Sequence, residues 1–205
     1  MDLIRIYKEI NGWKELHFAA EKGLDNGTRS LLRKGADVNI KNNDGSTPLH
    51  IACMKGRMKV VKILLSHGAD INIKDKFGWS PLHNAAGHCR KDIVLFLINK
   101  GADINAIDNH KNTPLHLTSE FNNMEITEIL LEKNADITIQ DDKNLTPLQV
   151  AYIHKHQEII DLIDSKLIYN FSNVKQKPEE LQVREWKDTV CPVLLKTMSS
   201  REEQE

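Results

Sequence analysis

Nine histidines and three cysteines are the residues of this chain best suited to metal binding or nucleophilic chemistry. A zinc site needs three or four such ligands, each about 2.0–2.3 Å from one ion. His17, His50, His83 and His116 follow one another at steps of 33 residues. Residues holding the same place in successive stacked repeats lie roughly a helix diameter apart, ~10 Å, so these four cannot converge on one ion. His88 and His154 share a repeat position but stand two repeats apart. His154 and His156 are close enough to hold a metal weakly, and read better as an exposed helix end. Cys53 falls at a small inner position, where a thiol is inert. Cys191, just before Pro192, is expected to be the accessible thiol. A lone cysteine with no placed base gives little support to nucleophilic catalysis. No phosphate-binding G-x-x-x-x-G-K-[ST], dinucleotide-binding G-x-G-x-x-G, H-E-x-x-H or G-x-S-x-G motif occurs. The expectation is a protein without enzymatic activity, cofactor or metal.

The elements that would position these residues are set by internal repetition. Leu16-His17 returns as Leu49-His50, Leu82-His83 and Leu115-His116, then as Leu148-Gln149. Thr47-Pro48, Ser80-Pro81, Thr113-Pro114 and Thr146-Pro147 precede them. The hydroxyl suits a helix N-cap, and proline at the first turn has no N–H to leave unpaired. Small residues follow, as in Ala19-Ala20, Ala52-Cys53 and Ala85-Ala86, and let neighbouring repeats approach closely. A second helix is predicted from apolar residues at helical spacing: Val60, Val61, Ile63 and Leu64, then Ile93, Val94, Phe96 and Leu97. Gly35-Ala36-Asp37, Gly68-Ala69-Asp70, Gly101-Ala102-Asp103 and Asn134-Ala135-Asp136 end it. Asp75, Asp108 and Asp141 read as turn residues of the hairpins that follow.

These motifs, recurring in phase over residues 9–168, resemble the ankyrin-repeat family across about four-fifths of the chain. The fold implied is an all-α repeat, a solenoid of helix-turn-helix units joined by β-hairpin-like loops. Its five repeats fall at about 9–41, 42–74, 75–107, 108–140 and 141–168. The resemblance also implies that the repeated histidine ties adjacent loops by hydrogen bonds. The first and last repeats read as caps. The first has Lys14-Glu15 in place of Thr-Pro, and Gly27 where others carry Val or Ile, which predicts a weaker second helix. The fifth places bulky Tyr152 at an inner position. Cys89 and Asn122 occupy the helix-end place of Gly23 and Gly56, at some expected cost in stability.

With a formal net charge of −1, no global field draws the chain towards nucleic acid or an anionic membrane. The N-terminus has neither a signal-peptide nor a membrane-anchor pattern, and the scattered cysteines suit a reducing, cytoplasmic compartment. An excess of Asn, Lys and Ile would fit a secreted effector in a host cytoplasm. The expected partners are one or more proteins bound by a monomer, with no nucleic acid and no membrane.

A family member of this kind is expected to bind through hairpin tips and the concave face of its first helices, where residues vary while the framework repeats. The candidate residues are Met54, Lys55, Lys76, Phe77, Trp79, His110, Asn112, Glu120, Phe121, Lys143 and Leu145. Phe77, Trp79 and Phe121 carry most weight, since the repeat needs no aromatic there and aromatics anchor interfaces. The opposing reading is that each ring only covers a neighbouring hairpin. Trp13 holds the same place as Trp79. Such a scaffold could act as a competitive inhibitor. Residues 1–8 could add a helical turn. The tail, 169–205, has a polar stretch over 170–177 and a helix start at Pro178. It either caps the array or recruits a second partner, the latter making the chain a ubiquitin-ligase substrate adaptor.

Overall fold

A computed structural model describes residues 11–173. The N-terminal turn expected over 1–8, the tail helix from Pro178 and Cys191 lie outside these residues. Among the described residues there are ten helices: α1 (Glu15–Lys22), α2 (Asp25–Arg33), α3 (Pro48–Met54), α4 (Met58–Ser66), α5 (Pro81–Gly87), α6 (Lys91–Asn99), α7 (Pro114–Glu120), α8 (Met124–Glu132), α9 (Pro147–His154) and α10 (Gln157–Asn173). They form five helix pairs, and each of the first four is followed by a hairpin-shaped finger: 37–46, 70–79, 103–112 and 136–145. The contact pattern divides the chain into two units after Lys166. α10 itself continues to Asn173, so residues 170–173, read from sequence as linker, are helical.

The first helix of each pair begins as its residues dictate. Thr47, Ser80, Thr113 and Thr146 are extended N-caps with proline in the first turn behind them. Their hydroxyls bond the helix amides only weakly, Ser80 and Thr113 accepting the N3 amide at 3.4 Å, while Thr47, Ser80 and Thr113 donate to Nδ1 of His50, His83 and His116 at 2.8–2.9 Å. The stronger half of each cap comes from the repeated histidine. The N–H groups of Lys14, Thr47, Ser80 and Thr113 donate to Nδ1 of His17, His50, His83 and His116 at 3.1–3.2 Å. With Nδ1 an acceptor, the proton sits on Nε2. Nε2 then donates to the carbonyls of Ser46, Trp79, Asn112 and Leu145 at 3.0–3.1 Å, each 29 residues on, in the finger that follows. One neutral side chain thus closes a helix start and pins a finger. In the last pair Gln149 Oε1 accepts the Thr146 amide at 2.8 Å, keeping the capping half of that arrangement.

The core runs as a row along the stack. Leu16, Leu49, Leu82, Leu115 and Leu148 are buried in the first helices, and Leu64, Leu97 and Leu130 in the second. Burying one such side chain contributes about 1.5–3 kcal/mol. No pair can close this row alone, so stacking supplies the stability. α2 reaches nine residues despite Gly27, but only Thr28 on it is buried, against Val60, Val61, Ile63 and Leu64 on α4. Its weakness is therefore one of packing, not of length.

The fingers are hairpin-shaped but carry no β-ladder; among the described residues no strand forms. Asp75, Asp108 and Asp141 each close a tip by accepting two backbone amides on Oδ1 at 2.8–2.9 Å. Asn42 does the same in the first finger. Neighbouring tips are joined by single backbone bonds: Lys76 N to Asp44 O, Asn109 N to Phe77 O and Asp142 N to His110 O, all 2.9–3.0 Å. The left-handed position after each first helix is Gly23, Gly56, Cys89, Asn122 and Lys155, with φ between 54° and 73°.

Candidate binding groove

Two of the three aromatic residues singled out above, Phe77 and Trp79, lie on a shallow groove of about 390 Å³, lined with them by Met54, Asp75, Asn84, His88, Asn109 and His110. It spans four consecutive parts of the stack. Met54 comes from the end of α3, Asp75, Phe77 and Trp79 from the second finger, Asn84 from α5 and His88 from its C-cap, and Asn109 and His110 from the third finger. The turn around Asp75 fixes both aromatics, because its Oδ1 holds the amides of Phe77 and Trp79 at 2.9 Å.

The two rings have different situations. Phe77 is 61% exposed, a large apolar side chain held at a rigid tip. Trp79 is half-buried; its ring stacks on His83 with centroids 6.3 Å apart and planes at 28°. Its far edge passes 3.5 Å from where a side chain on Gly87 would begin. Trp79 therefore covers part of the next first helix and also lines the groove. Two repeats earlier Trp13 also packs on its repeat histidine, tilted against His17 and against Phe18 with centroids 5.8 and 5.5 Å apart.

The polar rim is ordered. Asn109 Nδ2 donates to the Lys76 carbonyl at 2.7 Å, and the His88 ring donates from Nδ1 to the Asn84 carbonyl at 3.0 Å. His110 Nδ1 meets Asp142 Oδ2 at 2.9 Å. That hydrogen bond and the carboxylate charge raise the His110 pKa above its ordinary value. Burial has the opposite effect on His17, His50, His83 and His116, whose pKa values are all lowered, only partly offset by their carbonyl bonds.

Of the sequence candidates, Met54, Phe77, Trp79 and His110 meet in this groove. Lys76 stands at the same tip but does not line it, and Lys55 is the exposed C-cap of α3 beside Met54. Asn112 and Leu145 are half-buried, do not line the groove, and give their carbonyls to His83 and His116. Glu120 and Phe121 (54% exposed) lie at the end of α7 outside the groove, as does Lys143 on the fourth finger. Asn84 escaped the sequence reading. The signal for it was its place in a row otherwise apolar: Ile51, Leu117 and Val150.

Cys53 is buried, and burial pushes its thiol pKa strongly up. The accessible described thiol is Cys89, contrary to the expectation that placed it at Cys191; a residue in the left-handed turn after α5 faces outward. Among the described residues no group of three or more His, Cys, Asp or Glu could hold a metal ion. Nor is any helix there long and apolar enough to cross a membrane.

Two family models match the chain: ankyrin repeats in three copies over residues 16–108, and ankyrin repeats in many copies over residues 97–151. No curated protein matches it.

Proposed function

We propose, from the premise that the chain belongs to the ankyrin-repeat family, that it holds a partner protein in the groove between its second and third fingers. Ankyrin repeats generally mediate protein–protein interaction, and proteins built from them are typically non-catalytic scaffolds. The observation that carries the site is the exposed Phe77 ring beside half-buried Trp79 and Met54, on a backbone fixed by Asp75. Exposed aromatics on a preorganised surface bind without the entropic cost of ordering a loop. Asn84, His88 and Asn109 add hydrogen-bonding groups at the rim. The partner segment that fits is an extended loop presenting an apolar side chain flanked by polar groups. Held there, the segment is occluded from other proteins, so the chain acts as a scaffold or competitive inhibitor. The reducing compartment read from the cysteines is the setting we assign to it.

The test is affinity capture with the full-length chain, identification of the captured protein, and repetition with variants. Phe77→Ala and Met54→Ala lose the captured protein while keeping the melting temperature, and Lys143→Ala, outside the groove, keeps it. Capture retained by Phe77→Ala overturns the assignment of this face.

A further inference from the structure

Side chains tie successive helix pairs together in two ladders. In the first, the residue before each second helix reaches back to the end of the preceding first helix. Arg57 Nε donates to the Glu21 carbonyl at 2.9 Å and Arg90 Nε to the Met54 carbonyl at 3.0 Å. His156 Nδ1 makes the corresponding bond to the Ser119 carbonyl at 2.8 Å. In the second ladder, Lys41 Nζ donates to the Lys74 carbonyl at 3.0 Å and Lys74 Nζ to the Ile107 carbonyl at 2.6 Å.

Both ladders break at the same junction, between the third pair (α5, α6) and the fourth (α7, α8). Asn123 stands at the arginine position, where its side chain is too short to reach back to Gly87. Its buried Nδ2 has no hydrogen-bond partner. Ile107 stands at the lysine position and cannot donate. Cys89 belongs to the same break. A Cβ added at Gly23 or Gly56 would lie 3.0 or 3.2 Å from Cδ of Arg57 or Arg90. Glycine and arginine therefore go together, and the cysteine goes with the shorter asparagine.

What does cross this junction compensates weakly. Asp142 N to His110 O and Asp136 N to Asn105 Oδ1, both 2.9 Å, have counterparts at the earlier junctions. The one addition is His110–Asp142; the 3.8 Å pair of Lys91 with Glu125 repeats the 3.9 Å pair of Lys59 with Asp25 at the first junction, and both contacts at the third junction are exposed and screened by water and salt. Apolar packing of the leucine row is common to every junction. In a linear array stability is a sum of unit terms and nearest-neighbour terms, so the weakest interface opens first.

We propose that the array opens between its third and fourth helix pairs, releasing residues 113–166 as one cooperative unit while the groove stays assembled. The third finger remains with the earlier pairs. Asn109 is bound to Phe77 and Lys76, the Ile107 carbonyl to Lys74, and the Asn112 carbonyl to His83.

Hydrogen exchange of the full chain, resolved by mass spectrometry, tests this. Amides of α7, α8 and α9 should exchange at one common rate, at least tenfold faster than those of α3 to α6. The variant Cys89→Gly/Asn123→Arg/Ile107→Lys should slow α7–α9 at least fivefold and leave α3 and α5 unchanged. Ile107→Lys alone, which rebuilds only the second ladder and disturbs no buried residue, should give part of that effect. Equal rates on the two sides of the junction overturn the proposal. So does a gradient from α10 inward that neither variant changes, since that is ordinary end fraying.

Discussion

His50 Nε2 holds the carbonyl of Trp79 at 3.0 Å, so a framework histidine fixes the backbone from which a groove aromatic projects. The same ring accepts the Thr47 amide on Nδ1 at 3.1 Å. Replacing His50 by Ala strands both groups in a buried site, at a cost of ~2–4 kcal/mol. His50→Gln should cost about half as much, because Gln149 caps Thr146 in the last pair. Urea denaturation with both variants checks the order. An alanine variant as stable as the glutamine variant would show that the cap contributes nothing.

Acid should unfold the chain through four of its histidines. His17, His50, His83 and His116 have folded-state pKa values lowered by burial, while in the unfolded chain they titrate near ~6.5. Below that value the unfolded state binds more protons, so stability present above pH ~6.5 falls as pH drops towards the lower folded-state values. With four such groups the slope reaches at most about 5 kcal/mol per pH unit. His110 acts in the opposite sense: its raised pKa gives a contribution present at low pH and lost as pH rises through the folded value. Being fully exposed, it does not offset the other four. Denaturation midpoints between pH 7.5 and 5.0 should fall steadily, and a flat profile would refute the neutral-histidine cap.

Cys89→Gly should stabilise the chain by ~1 kcal/mol, because the residue holds φ at 57° with an L side chain. The exposed thiol disappears in the same step. Thermal melts give the shift, and thiol titration of the native protein confirms which cysteine had been accessible.

Gly87→Ala should raise stability by about 0.5–1 kcal/mol through helix propensity. Its new methyl would meet Trp79 Cη2 at 3.5 Å and Leu117 Cδ1 at 3.9 Å, both ordinary contacts. A larger residue there must displace the Trp79 ring. Gly87→Leu should therefore weaken capture of the partner far more than it weakens folding, and indole fluorescence reports the displacement directly.

The framework was legible because each of its parts is local and repeated. Thr-Pro, the turn aspartates and the glycine positions with their Cys89 and Asn122 exceptions each follow from one residue's conformational needs, while the role of the repeated histidine came with the family resemblance. The groove was half legible. Variation between repeats pointed to Met54, Phe77, Trp79 and His110, but it pointed also to Glu120, Phe121, Lys143 and Leu145. Which of these converge depends on side-chain reach across neighbouring repeats, a quantity that period alone does not carry. Asn84 was hidden for the complementary reason: it sits in a framework row and faces the groove. The backward reach of Arg57 and Arg90, to carbonyls 36 residues earlier, needed coordinates to be seen.

The histidine bonds also set an order of events during synthesis. Each first helix receives its finger bond only after 29 further residues have been made: α3 needs Trp79, α5 needs Asn112 and α7 needs Leu145. Contacts this near in sequence let a nascent chain close one pair at a time behind the ribosome. At every stage the growing end exposes one histidine still waiting for its carbonyl. At Gln149 that wait ends, because the amide caps its helix without depending on a finger not yet translated.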